Sequence, residues 1–238
     1  MVSRFILPVA ALSSAGLASA VQNQKRRLHC DYSPRNTPKL PPSLRIKDKD
    51  FILVAAGTRK VTFLSISVYD VGIYISSSDI PHLNAALRSI QVDSPTALIE
   101  HLKDPVDGAS FLNALDNVSY AVRITPVRNT DIAHMRDGFV RGVLLRHNPD
   151  AESLQSFKDF FPNPRKAFLK TDVMLLTVWN GQRLDLDING HDYGTYQGFG
   201  VETSNLLKAF IGTYTSGKKV ASEELRQEFV EQIVQEVQ

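Results

Sequence analysis

The 238-residue chain contains a single cysteine, Cys30. One thiol closes no intrachain disulfide, so the fold must depend on a packed core, and Cys30 reads as a free thiol in a leader or linker. An excess of charge is also missing: 27 Lys and Arg stand against 25 Asp and Glu, a net +2. This balance gives no electrostatic reason to expect nucleic acid as a partner. The chain has no phosphate-binding G-x-x-x-x-G-K-[ST], no G-x-S-x-G, no H-E-x-x-H and no C-x-x-C. Its six histidines, His29, His82, His101, His134, His147 and His191, include no pair at helical ligand spacing, which argues against a zinc site. Any metal ligand stays unassigned. No internal repeat is present.

What is there divides at about residue 48. Residues 1–48 read as a targeting segment and a Pro-rich linker, with Pro34, Pro38, Pro41 and Pro42. Before Asp31 the charged residues are Arg4, Lys25, Arg26 and Arg27, with no acid. Phe5 to Val21 is apolar and rich in Ala and Ser. A secretory signal ending at Ala18-Ser19-Ala20 fits this pattern, and so does an acid-poor mitochondrial presequence. The third reading is a short membrane anchor through residues 5–21. At ~1.5 Å per residue it spans about 25 Å, marginal for a core of ~30 Å, and Pro8 and Gly16 weaken it as a helix.

Residues 49–238 read as one domain. Phe51 to Ala56 is a strand that turns at Gly57, and Lys60 to Ile66 and Val68 to Ile75 are two more. Gly72 interrupts the last, suggesting a bulge or a close approach by another group. Pro81 to Lys103 reads as helical, restarting at the Ser94 cap and Pro95, and a short helix covers Gly108 to Leu115. Val118 to Thr125 alternates: Val118, Tyr120, Val122 and Ile124 on one face, Ser119, Ala121, Arg123 and Thr125 on the other. Helices follow from an Asn129 or Thr130 cap to about Arg146, and from Asn148-Pro149 to about Phe161. Asn180-Gly181 and Asn189-Gly190 mark hairpin turns. Asp185 and Asp187 read as a solvated strand face. Helices over Glu202–Tyr214 and Ser222–Val237 close the chain. This order predicts an α+β fold, an antiparallel sheet with helices on one side.

The arginines are the chemical signal. On a helical wheel Arg136 falls about 40° from Ile132, inside the stripe of Met135, Phe139 and Val143, whereas His134 falls at about 200°, on the opposite side. A buried Arg136 needs a carboxylate, an anionic ligand, or a snorkelling path to water. Arg59, after Gly57-Thr58, is either a surface turn arginine or one projecting toward a cleft. Arg123 has small neighbours, Ala121 and Ser119, that leave room for a ligand or for a packed helix.

Ala56-Gly57-Thr58-Arg59 through Val68-Tyr69-Asp70-Val71-Gly72-Ile73-Tyr74-Ile75 resembles the chalcone isomerase family. Val118 to Leu144, including Arg123-Ile124-Thr125-Pro126-Val127-Arg128-Asn129-Thr130-Asp131, resembles its fungal mitochondrial branch, the altered-inheritance-of-mitochondria group. The resemblance implies an open-faced β-sandwich, with a large antiparallel sheet, a helical layer and a cleft between them. It also implies a mitochondrial location, at the inner membrane or in the intermembrane space, over the secretory one. Arg59 matches the arginine that polarises substrate in the plant enzymes. Tyr69, Ile132 and the neighbourhood of Phe139 match other substrate-contacting positions, two of them now apolar. Loss of those polar groups argues against chalcone cyclisation. The implied function is non-catalytic binding of an apolar anion, a fatty acid or haem, by Arg59, Tyr69, Arg123 and Arg136. Haem has no assignable axial ligand here: His134 faces away, and His82, His101 and His191 cannot be ranked. The alternatives are an isomerase of unknown substrate with Arg59 as electrophile, and a scaffold whose cleft is filled by its own side chains.

Overall fold

The computed structural model describes residues 40–238 except 62–64, 91, 93, 163, 164, 199 and 238. The leader, the anchor reading of residues 5–21 and Cys30 lie outside the described residues. The strands among the described residues are β1 (Ser43–Ile46), β2 (Lys49–Val61), β3 (Ile66–Ser76), β4 (Tyr120–Pro126), β5 (Thr130–Asp131), β6 (Ala167–Phe168), β7 (Met174–Trp179), β8 (Arg183–Ile188) and β9 (His191–Tyr196). Seven form one sheet, ordered β1-β2-β3-β4-β7-β8-β9, with every neighbouring pair antiparallel. β5 and β6 make a separate small pair. The helices among the described residues are α1 (Ile80–Ser89), α2 (Pro95–Lys103), α3 (Pro105–Ala114), α4 (Ile132–Leu144), α5 (Ala151–Asp159), α6 (Gly200–Thr215) and α7 (Glu223–Val237). None of them is long and apolar enough to cross a membrane. The expected α+β architecture, a large antiparallel sheet under a helical layer, is the one observed.

The two faces of the sheet carry different clusters. Tyr69, Val71, Ile73, Ile75, Tyr120, Val122 and Ile124 join the main core with Phe139, Phe210, Leu225 and Phe229 of the helices. On the other face Phe51, Tyr74, Ala121 and Trp179 form a smaller cluster, flanked by Leu44, Ile46, Leu53 and Leu175. This is the period-2 alternation expected for β4, and it places Arg123 on the face away from the helices.

β2 departs from the sequence pattern. The expected turn at Gly57 is absent: the strand runs unbroken through it to Val61. Its register against β3 shifts between Leu53, opposite Tyr74, and Ala55, opposite Ile73, leaving Val54 as an extra residue. One inserted residue inverts the face of everything after it. Phe51 and Leu53 therefore point to the outer cluster, while Ala55, Gly57 and Arg59 point to the helices. Gly57 is glycine because α7 crosses it: a Cβ there would lie 2.8 Å from Leu225 Cβ and 2.8 Å from Ser222 Oγ. Gly72 pairs regularly, with Ala56 on one side and Arg123 on the other. Its signal was the close approach, since a Cβ would lie 2.6 Å from Leu40 Cδ1.

The sheet also begins earlier than residue 49, because β1 pairs with β2 from Ser43 onward. Ahead of it, Pro42 accepts from Leu53 N at 2.9 Å, and Pro41 accepts from the Tyr74 hydroxyl at 2.9 Å. Ser94 caps α2 as expected, accepting from Ala97 N at 3.2 Å. The cap of α4 is Asp131 rather than Asn129 or Thr130, and that of α5 is Asp150 rather than Asn148. In both cases the nearer aspartate reaches the third helical N–H. α3 begins three residues before the expected Gly108, because Asp104 accepts from Val106 N and Asp107 N and Pro105 needs no partner for its nitrogen. Both Asn-Gly turns are present, with Asn180, Gly181, Asn189 and Gly190 all at positive φ.

Candidate functional site

Arg59 and Tyr69 are register partners on β2 and β3, both facing the helical layer. Arg59 Nη1 donates to the Tyr69 hydroxyl at 3.2 Å, and the guanidinium carbon lies 5.5 Å from the Tyr69 ring centroid. The Tyr69 hydroxyl is in turn 3.2 Å from that of Tyr214, on the last turn of α6. Tyr69 and Tyr214 are fully buried and Arg59 is half-buried. α4 admits the guanidinium at Gly138, where a Cβ would stand 3.2 Å from Nη1.

The electrostatics of this group are lopsided. Among the described residues no carboxylate forms an ion pair with Arg59. The Tyr69 hydroxyl favours the charged guanidinium and raises its pKa, outweighing the burial that opposes it. Burial, with Tyr69 beside it, pushes the Tyr214 phenol well above its ordinary value, so it stays neutral. The result is a cation beneath α4, held by the Tyr69 hydroxyl, with no carboxylate partner among the described residues. Such a group suits an anion that arrives from outside.

The other sequence candidates fall elsewhere. Arg123 is on the opposite face of the sheet, beside Tyr74, with Nη1 3.2 Å from Thr125 Oγ1. The sheet separates it from Arg59, because even and odd positions of β4 point to opposite sides. Arg136 stays at the margin of α4 and binds the adjacent Asp137, from Nε at 3.0 Å and Nη2 at 2.9 Å. Of the three expectations, an internal carboxylate, an anionic ligand or a snorkelling path to water, the partly exposed pairing with a half-exposed neighbour fits the last. His134 is 77% exposed and tied to Asp131 at 2.7 Å, on the side the helical wheel gave it. Ile132 and Phe139 are buried core, as the apolar reading requires.

Asp185 and Tyr214 take roles that their sequence neighbours do not show. Asp185 was read as solvated, yet it accepts from Lys47 at 2.5 Å, Trp179 Nε1 at 2.7 Å and Thr195 at 2.6 Å, and its side chain is only 13% exposed. The open face of the sheet carries Trp179 there, and an indole N–H under partial burial takes an acceptor. Tyr214 was not singled out. Its signal was Phe210 and Tyr214 spaced one turn apart in an apolar helix, where a phenol must find a partner. Among the described residues no group of three or more His, Cys, Asp and Glu side chains is placed to hold a metal ion.

A seven-stranded antiparallel sheet, a helical layer on one face and an inward arginine near the end of β2 define the class of open-faced sandwich expected from the sequence. The chain belongs to the chalcone isomerase-like family, whose sequence profile matches residues 49–230. It is similar to an uncharacterised protein of Schizosaccharomyces pombe, 31% identical over 214 residues, covering 86% of this chain and 80% of that one. It is also similar to altered inheritance of mitochondria protein 18, mitochondrial, of Debaryomyces hansenii, 30% identical over 82% of this chain and 70% of the relative. The protein of the same name from Lachancea thermotolerans is 26% identical over 91% and 77%. Among solved structures, the Arabidopsis thaliana fatty-acid binding protein shares the fold with a TM-score of 0.59 and 22% identity, covering 83% of this chain and 94% of that one.

Proposed function

We propose that this protein is a mitochondrial, non-catalytic binder of an apolar carboxylate, held head-first at Arg59. One observation carries the reading: Arg59 is a half-buried cation under the helices with two tyrosine hydroxyls in line and no carboxylate partner among the described residues. The buried rings of Tyr214, Phe210 and Phe139, with centroids 6.1 and 5.5 Å apart, make the inner side of this cation apolar. The fold shared with a fatty-acid binding protein and the mitochondrial names of the relatives support the same reading. So does the acid-poor leader before Asp31, which suits delivery to the inner membrane or intermembrane space.

Between the two ligand classes, a monocarboxylate fits better than haem. Two propionates ask for two cations. Arg123 lies across the sheet and Arg136 is taken by Asp137, so Arg59 meets one carboxylate.

Titration of the purified protein with a fluorescent fatty acid tests this. Arg59→Ala should weaken binding about 10- to 100-fold, the worth of a hydrogen bond to a charged group. Equal affinities in the two proteins would remove Arg59 from the site. A Soret band lost in Arg59→Ala would restore haem. Chalcone turnover abolished by Arg59→Lys would make the protein an isomerase instead.

A further inference from the structure

A cavity of about 470 Å³ lies roughly two turns along α4 from Gly138, at the other end of the helical layer from the Arg59 contact. The end of α2, the start of α3, the end of α4 and the link between α6 and α7 enclose it. Four cations line it, Lys103, Arg146, Lys218 and Lys219, against one carboxylate, Asp104. Asp104 is already engaged as the cap of α3. Buried Leu112 and exposed Leu145 are the large apolar side chains of its lining.

Arg146 gives the cavity a fixed positive charge. Among the described residues its guanidinium donates only to backbone carbonyls: Gly142 at 2.9 Å, Ser216 at 2.6 and 3.1 Å, and Lys219 at 2.7 Å. Carbonyls hold it in place without neutralising it. Burial, with Arg226 nearby, brings its pKa down to about 10, so it is still charged at neutral pH. Arg226 brings no surplus acid, because Glu223 is already bound to it at 2.5 Å. Among the described residues, Lys218 and Lys219 form no ion pair, and Lys103 pairs with the exposed Glu100.

Exposed apolar side chains accompany these cations. Among the described residues five large hydrophobic side chains are exposed; one of them lines the cavity and two are chain neighbours of lining residues. Leu145, 72% exposed, is part of the lining; Leu144, 45% exposed, precedes it; Val106, 77% exposed, follows Pro105 of the lining. Exposed apolar side chains gain by entering an acyl boundary, while lysines beside them gain from a negative surface. A site for a soluble anion has use for the cations but none for Val106 and Leu145.

We propose that this end of the helical layer docks on an anionic lipid surface, with a headgroup phosphate in the Arg146 cavity and Val106 and Leu145 entering the interface. The site is distinct from Arg59 and stands whether or not a fatty acid binds there. It would hold the folded domain against a membrane in one orientation.

The test is flotation of the full chain with phosphatidylcholine vesicles, alone and with added phosphatidylglycerol. Binding through residues 5–21 is common to every variant and cancels in the ratio. The wild type should prefer anionic vesicles, and raised salt should weaken that preference. Lys218→Glu with Lys219→Glu should lower the preference by about tenfold or more. Val106→Ser with Leu145→Ser, which leaves the charge unchanged, should also lower it severalfold. All four side chains are at the surface, so circular dichroism should show intact folds. Equal preference in the wild type and both variants overturns the proposal. So does stabilisation by soluble glycerol 3-phosphate with no anionic-vesicle preference, which would make the cavity a site for a free anion.

Discussion

A methyl group on Gly138 of α4 would stand 3.2 Å from Nη1 of Arg59 on β2, so the helix meets the guanidinium at a position with no side chain. The contact is tight but not a wall, since the opposing atom is the far end of a flexible side chain. Gly138→Ala should fold, and removing a helix-interior glycine should raise stability by about 0.5–1 kcal/mol, less the strain of the contact. Arg59 should turn aside, and fatty-acid affinity should fall. Thermal melts and ligand titration on the same sample separate the two effects.

Gly57→Ala should behave in the opposite way. The new Cβ would meet Leu225 Cβ at 2.8 Å and its backbone N at 3.1 Å, at the buried start of α7. Neither atom yields easily, so the variant should lose about 1–3 kcal/mol in urea unfolding. A loss near zero would mean that α7 shifts without cost, and that Gly57 does not set the packing distance.

The two tyrosines should not be equivalent. Tyr69→Phe deprives Arg59 of its acceptor and Tyr214 of its neighbour, whereas Tyr214→Phe removes one hydroxyl from the end of the row. Each leaves a buried polar group short of a partner, a cost of about 1–3 kcal/mol, with Tyr69→Phe the larger. The double variant should be less destabilised than the sum of the singles, because both remove the same contact. Additive losses in chemical unfolding would uncouple them.

Acid should loosen the outer face through Asp185. Burial raises its pKa, but hydrogen bonds from Lys47, Thr195 and Trp179 outweigh this and lower it. A carboxyl with a lowered folded pKa contributes stability that is present above the unfolded value of about 3.9 and is lost as pH falls through the folded value. Trp179, the only tryptophan in the chain, donates to this carboxylate, so its fluorescence reports the loss directly. Asp185→Asn should be less stable at neutral pH and should show a shallower decline below about pH 4.

The elements that were legible in advance share one property: a local cause. Ser94 and Pro95 start α2, the two Asn-Gly pairs turn their hairpins, and alternation assigns the faces of β4, each from a few adjacent residues. The shifts to Asp131 and Asp150 are small because several neighbours can cap, and geometry picks the one that reaches. The readings that failed depended on distant partners. Gly57 resembled a turn because its real cause, α7, lies more than a hundred residues further on. Asp185 resembled a solvated acid because Lys47 and Trp179 reach it only across the sheet.

The site divides in the same way. Element order, turn chemistry and periodicity alone determined an α+β domain with an antiparallel sheet and offered Arg59, Arg123 and Arg136 as candidates, among which the family resemblance favoured Arg59. Whether it served the surface or the interior was not decided there, because a strand has two faces and one extra residue exchanges them. Val54 is that residue: its bulge turns Arg59 toward Tyr69, Tyr214 and the gap at Gly138, and the unbroken register of β4 leaves Arg123 on the far side. Pairing register is a property of two strands together, so only the tertiary structure decided which arginine lies beneath the helices.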